Sequence, residues 1–251
     1  MFSLDTVRVE LGGRTVVDTV TTILEAGRVH VVAGPNGAGK STLLRAMAAL
    51  LPLKNGRIIA DDKDMARLSP SARADLVAYL PQDRSLAWDL AAADVAALGA
   101  YHLPPDVARQ KAVAELQALG LGDVAERGVF SLSGGQRARV LLARLLLSPA
   151  RLYLLDEPLT ALDPAWQRQV LRRLRQRASE GYTVVLSLHD LQLAAQFADD
   201  ILLMHEGRLV ANAAPEKVFT PGVLHTVFNL SGGMISENGR RRLDLDVEPA
   251  G

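Results

Sequence analysis

The sequence predicts an α/β protein: a mostly parallel sheet flanked by helices, with an antiparallel β part at its N-terminal end and an inserted helical subdomain. Three observations carry this. Short apolar runs, VHVVAG at 29–34, RLYLLDEP at 151–158 and YTVVLSLHD at 182–190, read as buried strands, and each leads into a segment with helical spacing. FSLDTVRVEL and RTVVDTVTTIL alternate apolar and polar residues around Gly12-Gly13, the pattern of two antiparallel strands. From Pro81 to about Pro149 the chain turns rich in alanine and leucine and poor in strand formers, as a helical block would be.

The elements follow in order. VHVVAG runs into the glycine-rich GPNGAGKST, and KSTLLRAMAALL continues with leucine and alanine at helical spacing. KNGRIIA, 54–60, reads as a turn and a short strand. Ser69-Pro70-Ser71 looks like a helix start, and the periodic apolar set after it predicts a capped helix over 64–78. AAADVAALGAYHL and PDVARQKAVAELQALGL both read as helices, the second beginning near Pro105-Asp106. Beyond the 151–158 strand, DPAWQRQVLRRLRQRASEG is a helix, YTVVLSLHD a strand and LQLAAQFAD a helix. DILLMHEGRLVANA then forms a final hairpin through Glu206-Gly207. One domain is expected, with a nucleotide-binding core at 1–81 and 150–214, a helical subdomain at 82–149 and a short tail at 215–251.

Composition narrows the class. Lys plus Arg and Asp plus Glu both number 28, so there is no basic footprint of the kind sequence-independent nucleic-acid binding needs, and no nucleic-acid partner is expected. The basic RQVLRRLRQR at 168–177 is interrupted by leucines at helical spacing and reads as a solvated helix face. The absence of cysteine rules out disulfides and thiolate metal sites and suits a reducing compartment. MFSLDTVRVELGG lacks a basic start leading into an apolar core, so no secretory signal is read there. No apolar run reaches the roughly 20 residues that span a bilayer; VLLARLLLSPARLYLLDEP is broken by Arg144, Pro149 and Arg151. If the protein works at a membrane, another chain must supply the span.

Residues 34–41, GPNGAGKS, match the phosphate-loop pattern G-x-x-x-x-G-K-[ST] in full, in its strand–loop–helix context. Gly34, Pro35, Asn36, Gly37, Ala38 and Gly39 supply backbone amides for phosphate oxygens. Lys40 reaches the β- and γ-phosphates of a nucleotide, and Ser41, followed by Thr42, offers a hydroxyl to Mg²⁺. Asp156 and Glu157 end an apolar strand, where successive side chains point opposite ways. Asp156 then suits the Mg²⁺ shell and Glu157 the attacking water, as general base or orienter. His189 and Gln82 carry no signal on their own. Far downstream of Lys40, Ser133-Gly134-Gly135-Gln136 opens another helix with a capping serine and free glycine amides. It is a second anion-seeking start in one chain.

Taken together, GPNGAGKST, PQ at 81–82, LSGGQ at 132–136, LLDEP, LD at 162–163 and LHD at 188–190 resemble, in order, the motifs of the ATP-binding-cassette (ABC) ATPases. The likeness covers residues 1 to about 210, and LSGGQ is that family's own signature. The resemblance implies a P-loop NTPase cassette that binds ATP and Mg²⁺ and dimerises head to tail, so that Ser133 and Gly135 face the nucleotide on the partner's Lys40. It further implies that Gln82 links Mg²⁺ and the attacking water to the helical subdomain. His189 becomes the switch histidine at the γ-phosphate, and Asp163 the acid of the loop coupling the two sites. Thr160 stands where the family loop most often begins with serine.

The family usually stacks adenine on an aromatic ahead of the phosphate loop. Here Leu11 holds that place and no aromatic lies between Phe2 and Tyr79. Base–aromatic stacking is worth about 1–3 kcal/mol, so weaker adenine selectivity is expected, with Leu11, Arg14 or Val16 packing on the base. Trp88 is read either as core or as lining the groove that takes a membrane subunit. Neither a coiled-coil insertion between Gln82 and Leu132 nor a second signature is present, which favours a transport motor over a soluble ABC ATPase; an exporter-type or soluble role remains the alternative. LSPSARADLVAYLPQ, AAADVAALGAYHL and FTPGVLHTVFNLSG resemble the subunits that energise uptake of iron–siderophores, haem and vitamin B12, although Ala100 replaces an arginine common there. The implied partners are a second copy, integral membrane permease subunits and, indirectly, a substrate-binding protein, with the ATPase peripheral on the cytoplasmic face of the cell membrane.

Overall fold

A computed structural model describes residues 1–237 and 240–246. Strands β1 (Phe2–Leu11) and β2 (Arg14–Leu24) pair antiparallel. Their buried residues do not keep strict period two: Phe2 and Leu4 face inward, and then Val7 and Val9. A bulge resets the phase, with Thr6 at φ 49° in β1 and Thr19 at φ 56° in β2, so one extra residue keeps the same face toward the core. β4 (Asn55–Ala60) pairs with the other edge of β1, and the two-residue β5 (Lys63–Asp64) closes a four-stranded sheet in the order β2-β1-β4-β5.

The second sheet has six strands. β3 (Val29–Ala33), β6 (Val77–Leu80), β7 (Leu152–Leu155), β8 (Thr183–Ser187) and β9 (Asp200–His205) run parallel, and β10 (Arg208–Ala213) returns antiparallel to β9. Their order is β10-β9-β3-β8-β7-β6. This sheet is buried on both faces, which explains why its strands read as continuous apolar runs. On one face Val32, Leu154, Val185 and Leu202 join the β1–β2 side of the molecule together with α1 (Lys40–Met47). On the other, Val31, Tyr153, Leu155, Leu186 and Leu203 pack with the helices, among them α3 (Ala92–Ala97), α4 (Pro105–Ala118), α5 (Gly134–Leu146), α6 (Pro164–Ser179) and α7 (Leu191–Phe197).

Three expectations need correction. The helix predicted over 64–78 is only α2 (Pro70–Ala74), capped by the Ser69 hydroxyl; Val77–Leu80 instead joins the sheet as β6, beside β7. Strand pairing that buries Val77 and Leu80 outweighs the helical spacing. The β9–β10 hairpin forms at Glu206-Gly207 but is not the last. After α8 (Pro215–Val218), α9 (Pro221–Val223) and a π turn at Leu224–Phe228, β11 (Ser231–Glu237) pairs with β12 (Arg240–Asp246), and Leu243 reaches the helical-face core. The basic face of α6 is not simply solvated. Arg173 grips Glu115 of α4 with two bonds, of 3.0 and 2.6 Å, and Arg175 meets Asp199 at 2.5 Å. Among the described residues no helix is long and apolar enough to cross a membrane.

Candidate active site

Parallel strands of an open sheet direct their carboxyl ends to one edge, where ligands of such folds bind. The adjacent strands β3, β8, β7 and β6 deliver to that edge, respectively, the 34–42 loop, His189, the Asp156–Glu157 pair and Gln82. Sheet topology thus gathers residues that lie far apart in the chain.

The 34–42 loop wraps back over its own lysine. Lys40 is 7% exposed, and its ammonium donates to the carbonyls of Gly34 and Pro35 at 2.8 and 2.9 Å. Burial lowers its pKa from the ordinary lysine value, against the pull of Glu157 and Asp156. Two glycines of the loop are required by packing. A methyl group on Gly34 (φ 146°) would meet the Met204 carbonyl at 2.1 Å, and one on Gly39 (φ 97°) the Val16 carbonyl at 2.7 Å. Gly37, at the exposed crest, has open space beside it. No side chain caps the start of α1, so its first amides and the helix dipole are available to an anion.

Asp156 is fully buried just past the end of β7. Ser41 and Ser187 both donate hydroxyls to its Oδ1, at 3.0 and 2.8 Å, and Tyr79 donates to Oδ2 at 3.4 Å. Glu157 leaves the strand differently than the sequence suggested. β7 ends at Leu155, and Glu157 adopts φ 49°, so a left-handed turn rather than the pleat separates the two carboxylates. Its amide donates to Ser187 Oγ at 2.8 Å, and its Oε1 lies 2.5 Å from His189 Nε2. Gln82 sits exposed two residues beyond β6. Ser187 and Tyr79 were missed in the sequence. The only hint was position: Ser187 ends an otherwise apolar strand two residues before His189, and Tyr79 lies in the strand ending at PQ.

An oxygen-only donor set of one hydroxyl and one carboxylate at the start of α1 fits Mg²⁺, which takes few protein ligands and completes its shell with phosphate and water. Among the described residues no group of three His, Asp or Glu is arranged to hold a metal without such help.

The 133–136 turn stands apart from the phosphate loop, with no hydrogen bond between them among the described residues. Ser133 caps α5 through a reciprocal box: its hydroxyl accepts from the Gln136 amide, and Gln136 Oε1 accepts from the Ser133 amide. Ser133 and Gly134 are exposed, and Gly135 abuts Ala161 and Leu162, next to Asp163, whose carboxylate caps α6. Arg139 of α5 stacks on Trp166 of α6 at 3.7 Å and donates to the Leu119 carbonyl at 2.8 Å, which ties the two helix starts together. Trp88 is 75% exposed, neither core nor part of the lining of a neighbouring cavity of about 460 Å³ bordered by Asp83, Leu86, Leu98, Tyr101 and Arg144.

These parts define a phosphate-loop ATPase with a second, exposed helix start. A family profile described as "ABC transporter" matches residues 17–160. The chain belongs to the ABC transporter family, as an ATPase subunit that binds and hydrolyses ATP in transport. It is 43% identical over 226 residues to the "Hemin import ATP-binding protein HmuV" of Streptomyces coelicolor, covering 88% of this chain and 81% of that protein. Its likeness to the protein of the same name in Shewanella denitrificans is 36% over 243 residues, 94% and 96% of the two chains. The "Cobalamin import ATP-binding protein BtuD" of Halobacterium salinarum is 38% identical over 229 residues, 88% of this chain and 57% of that one. Among solved structures, an "ATP binding subunit of ABC transporter" superposes with a TM-score of 0.81 at 23% identity, covering 91% of this chain and 96% of that one. The last comparison bears on the fold alone.

Proposed function

We propose that this chain is the motor of an ABC importer for haem or a related metal chelate, cobalamin included, working as a head-to-tail homodimer around two ATP molecules. The observation that carries the chemistry is the convergence of Lys40, Asp156, Glu157 and His189 at the carboxyl ends of three neighbouring strands. The import assignment and the cargo class rest on the relatives' names.

In this reading the amides of residues 34–42 and Lys40 bind the phosphates, and Ser41 and Asp156 hold Mg²⁺ with Gln82 nearby. When bound, Mg²⁺ would neutralise charge on the phosphate oxygens. Glu157 orients the attacking water and accepts its proton; His189, 2.5 Å from that carboxylate, sets its direction and faces the γ-phosphate. Ser133, Gly134, Gly135 and Gln136 serve the nucleotide of the other copy, and Asp163 lies beside the dimer seam. Exposure of Ser133 and Gly134 supports a role toward a partner. ATP binds the closed pair better than the open one and so shifts the population, and hydrolysis resets it. The cavity bordered by Leu86, Leu98 and Tyr101 accepts a segment of the permease, which in turn recruits a substrate-binding protein and holds this subunit on the cytoplasmic face of the membrane.

The test is capture of the tagged chain from detergent-solubilised native membranes, followed by haem uptake by the captured complex in vesicles. A polytopic partner, with uptake that Glu157→Gln abolishes, supports the reading. Recovery of cytosolic partners alone would overturn it.

A further inference from the structure

We infer that Arg84 is a positioning residue for Glu157, a clamp that holds the turn carrying the acid. The inference rests on the reading of Glu157 as the group acting on water.

Arg84 lies in the loop after β6. Asp83, Ser85 and Leu86 line the cavity of about 460 Å³, whereas Arg84 reaches the turn that follows β7. Its Nη2 donates to the Glu157 carbonyl at 2.7 Å and its Nη1 to the Thr160 carbonyl at 2.6 Å. One planar guanidinium therefore bridges both ends of the Glu157–Thr160 turn, a geometry its rigid fork suits. It forms no ion pair among the described residues, and its Nε is buried without a partner. Burial lowers the pKa of the guanidinium from its ordinary value. A cation partly desolvated to hold two main-chain oxygens is an expensive arrangement for a surface loop.

The turn needs holding. Glu157 has φ 49° and Ala161 φ 67°, both left-handed without being glycine, and Pro158 restricts Glu157 further. Ser187 fixes the Glu157 amide from below, and Gln167 donates to the Leu159 and Leu162 carbonyls from α6. Arg84 adds a charged donor to the Glu157 carbonyl, which also accepts the Thr160 amide at 3.3 Å. Without Arg84 the carbonyl keeps that longer bond within the turn, the backbone from which the carboxylate projects relaxes, and the acid drifts from His189 and from the phosphate loop. Among the described residues Arg84 makes no hydrogen bond to the 34–42 loop or the 133–136 turn, so nucleotide binding is expected to be spared.

The test measures kcat and KM for ATP on the purified full chain, with kcat counted per nucleotide-binding site, for wild type, Arg84→Ala, Arg84→Lys and Glu157→Gln. Arg84→Ala is expected to lower kcat about 10-fold with KM within about twofold, since misplacing a reacting group costs rate rather than affinity. Arg84→Lys keeps the charge but replaces the planar fork with one ammonium nitrogen and should fall between; if the alanine variant fails to fold, the lysine variant carries the measurement, with a loss of about 3-fold or more. Wild-type kcat in the Arg84 variants while Glu157→Gln has lost turnover would overturn the clamp alone. Loss of binding sites or a shifted KM in proportion to the lost rate would mark Arg84 as structural and also overturn it. Wild-type turnover in Glu157→Gln would instead overturn the reading of Glu157 on which the clamp rests.

Discussion

Replacing Ser187 with alanine removes one hydroxyl from the junction of the two acids. That hydroxyl, fully buried, donates to Asp156 Oδ1 at 2.8 Å and accepts the Glu157 amide at 2.8 Å. The bond to the carboxylate is worth about 1.5–3 kcal/mol, and a buried amide left without an acceptor costs about 1–3 kcal/mol. Asp156 keeps the Ser41 and Tyr79 hydroxyls, so the lower part of each range applies and the total is about 3 kcal/mol. In a chain of this size, that corresponds to a drop in Tm of about 6–12 °C. Urea unfolding of the full chain should show the loss as a shifted midpoint at unchanged slope. The exposed Ser179, whose hydroxyl donates to the Gln176 carbonyl of its own helix, is the control, and its alanine variant should stay within about 0.5 kcal/mol of wild type. Turnover should fall too, because the Glu157 turn loses its lower anchor. A Ser187→Ala loss below about 1 kcal/mol would show that the junction is not held as described.

Other perturbations probe separate parts. Gly120 has φ 67° and lies under Trp166, where an added methyl would come within 2.3 Å of the ring; Gly120→Ala should destabilise by about 2–3 kcal/mol in the same unfolding assay. His30 is 1% exposed, and burial lowers its pKa below 6.5 despite Asp200 at 3.4 Å. The unfolded chain then binds the extra proton first, so this residue's contribution to stability is complete above about pH 6.5 and is lost as pH falls toward the folded-state value. His30→Gln should flatten that part of the stability profile between about pH 7 and 5.5, and an unchanged slope would exclude His30 as its source. Leu11 and Arg14 are exposed at the β1–β2 tip and Val16 abuts Gly39, and none of the three carries a ring to stack adenine. Hydrolysis of ATP and GTP at matched concentrations should differ by less than about 10-fold, and a stronger ATP preference would refute the expectation.

The parallel strands were legible because burial on both faces leaves only apolar runs, and the phosphate loop because its glycines are set by close backbone approach. β6 was not, since Val77–Leu80 follows a genuine Ser69 cap and its strand character comes from β7 alongside. The β11–β12 hairpin escaped notice because Gly232, Gly233 and a charged second strand give a weak alternating signal. Glu157 could be chosen as an acid from LLDEP, but its left-handed backbone and the Ser187 and Arg84 contacts that hold it come from strand neighbours and a distant loop. Spacing along one chain cannot encode such contacts. For Ser133, the cap was readable locally, whereas its exposed position away from the phosphate loop is a property of the fold.

The central claim is that each chain carries two half-sites completed by a second copy. Lys40→Ala disables one half and Ser133→Arg the other, so each variant alone should lack turnover. Random mixing makes about half the dimers mixed, each with one intact site of two, and equal amounts together should recover about a quarter of the wild-type rate per chain. A mixture no more active than its separate components would contradict the claim that the Ser133 turn of one copy serves the Lys40 loop of the other.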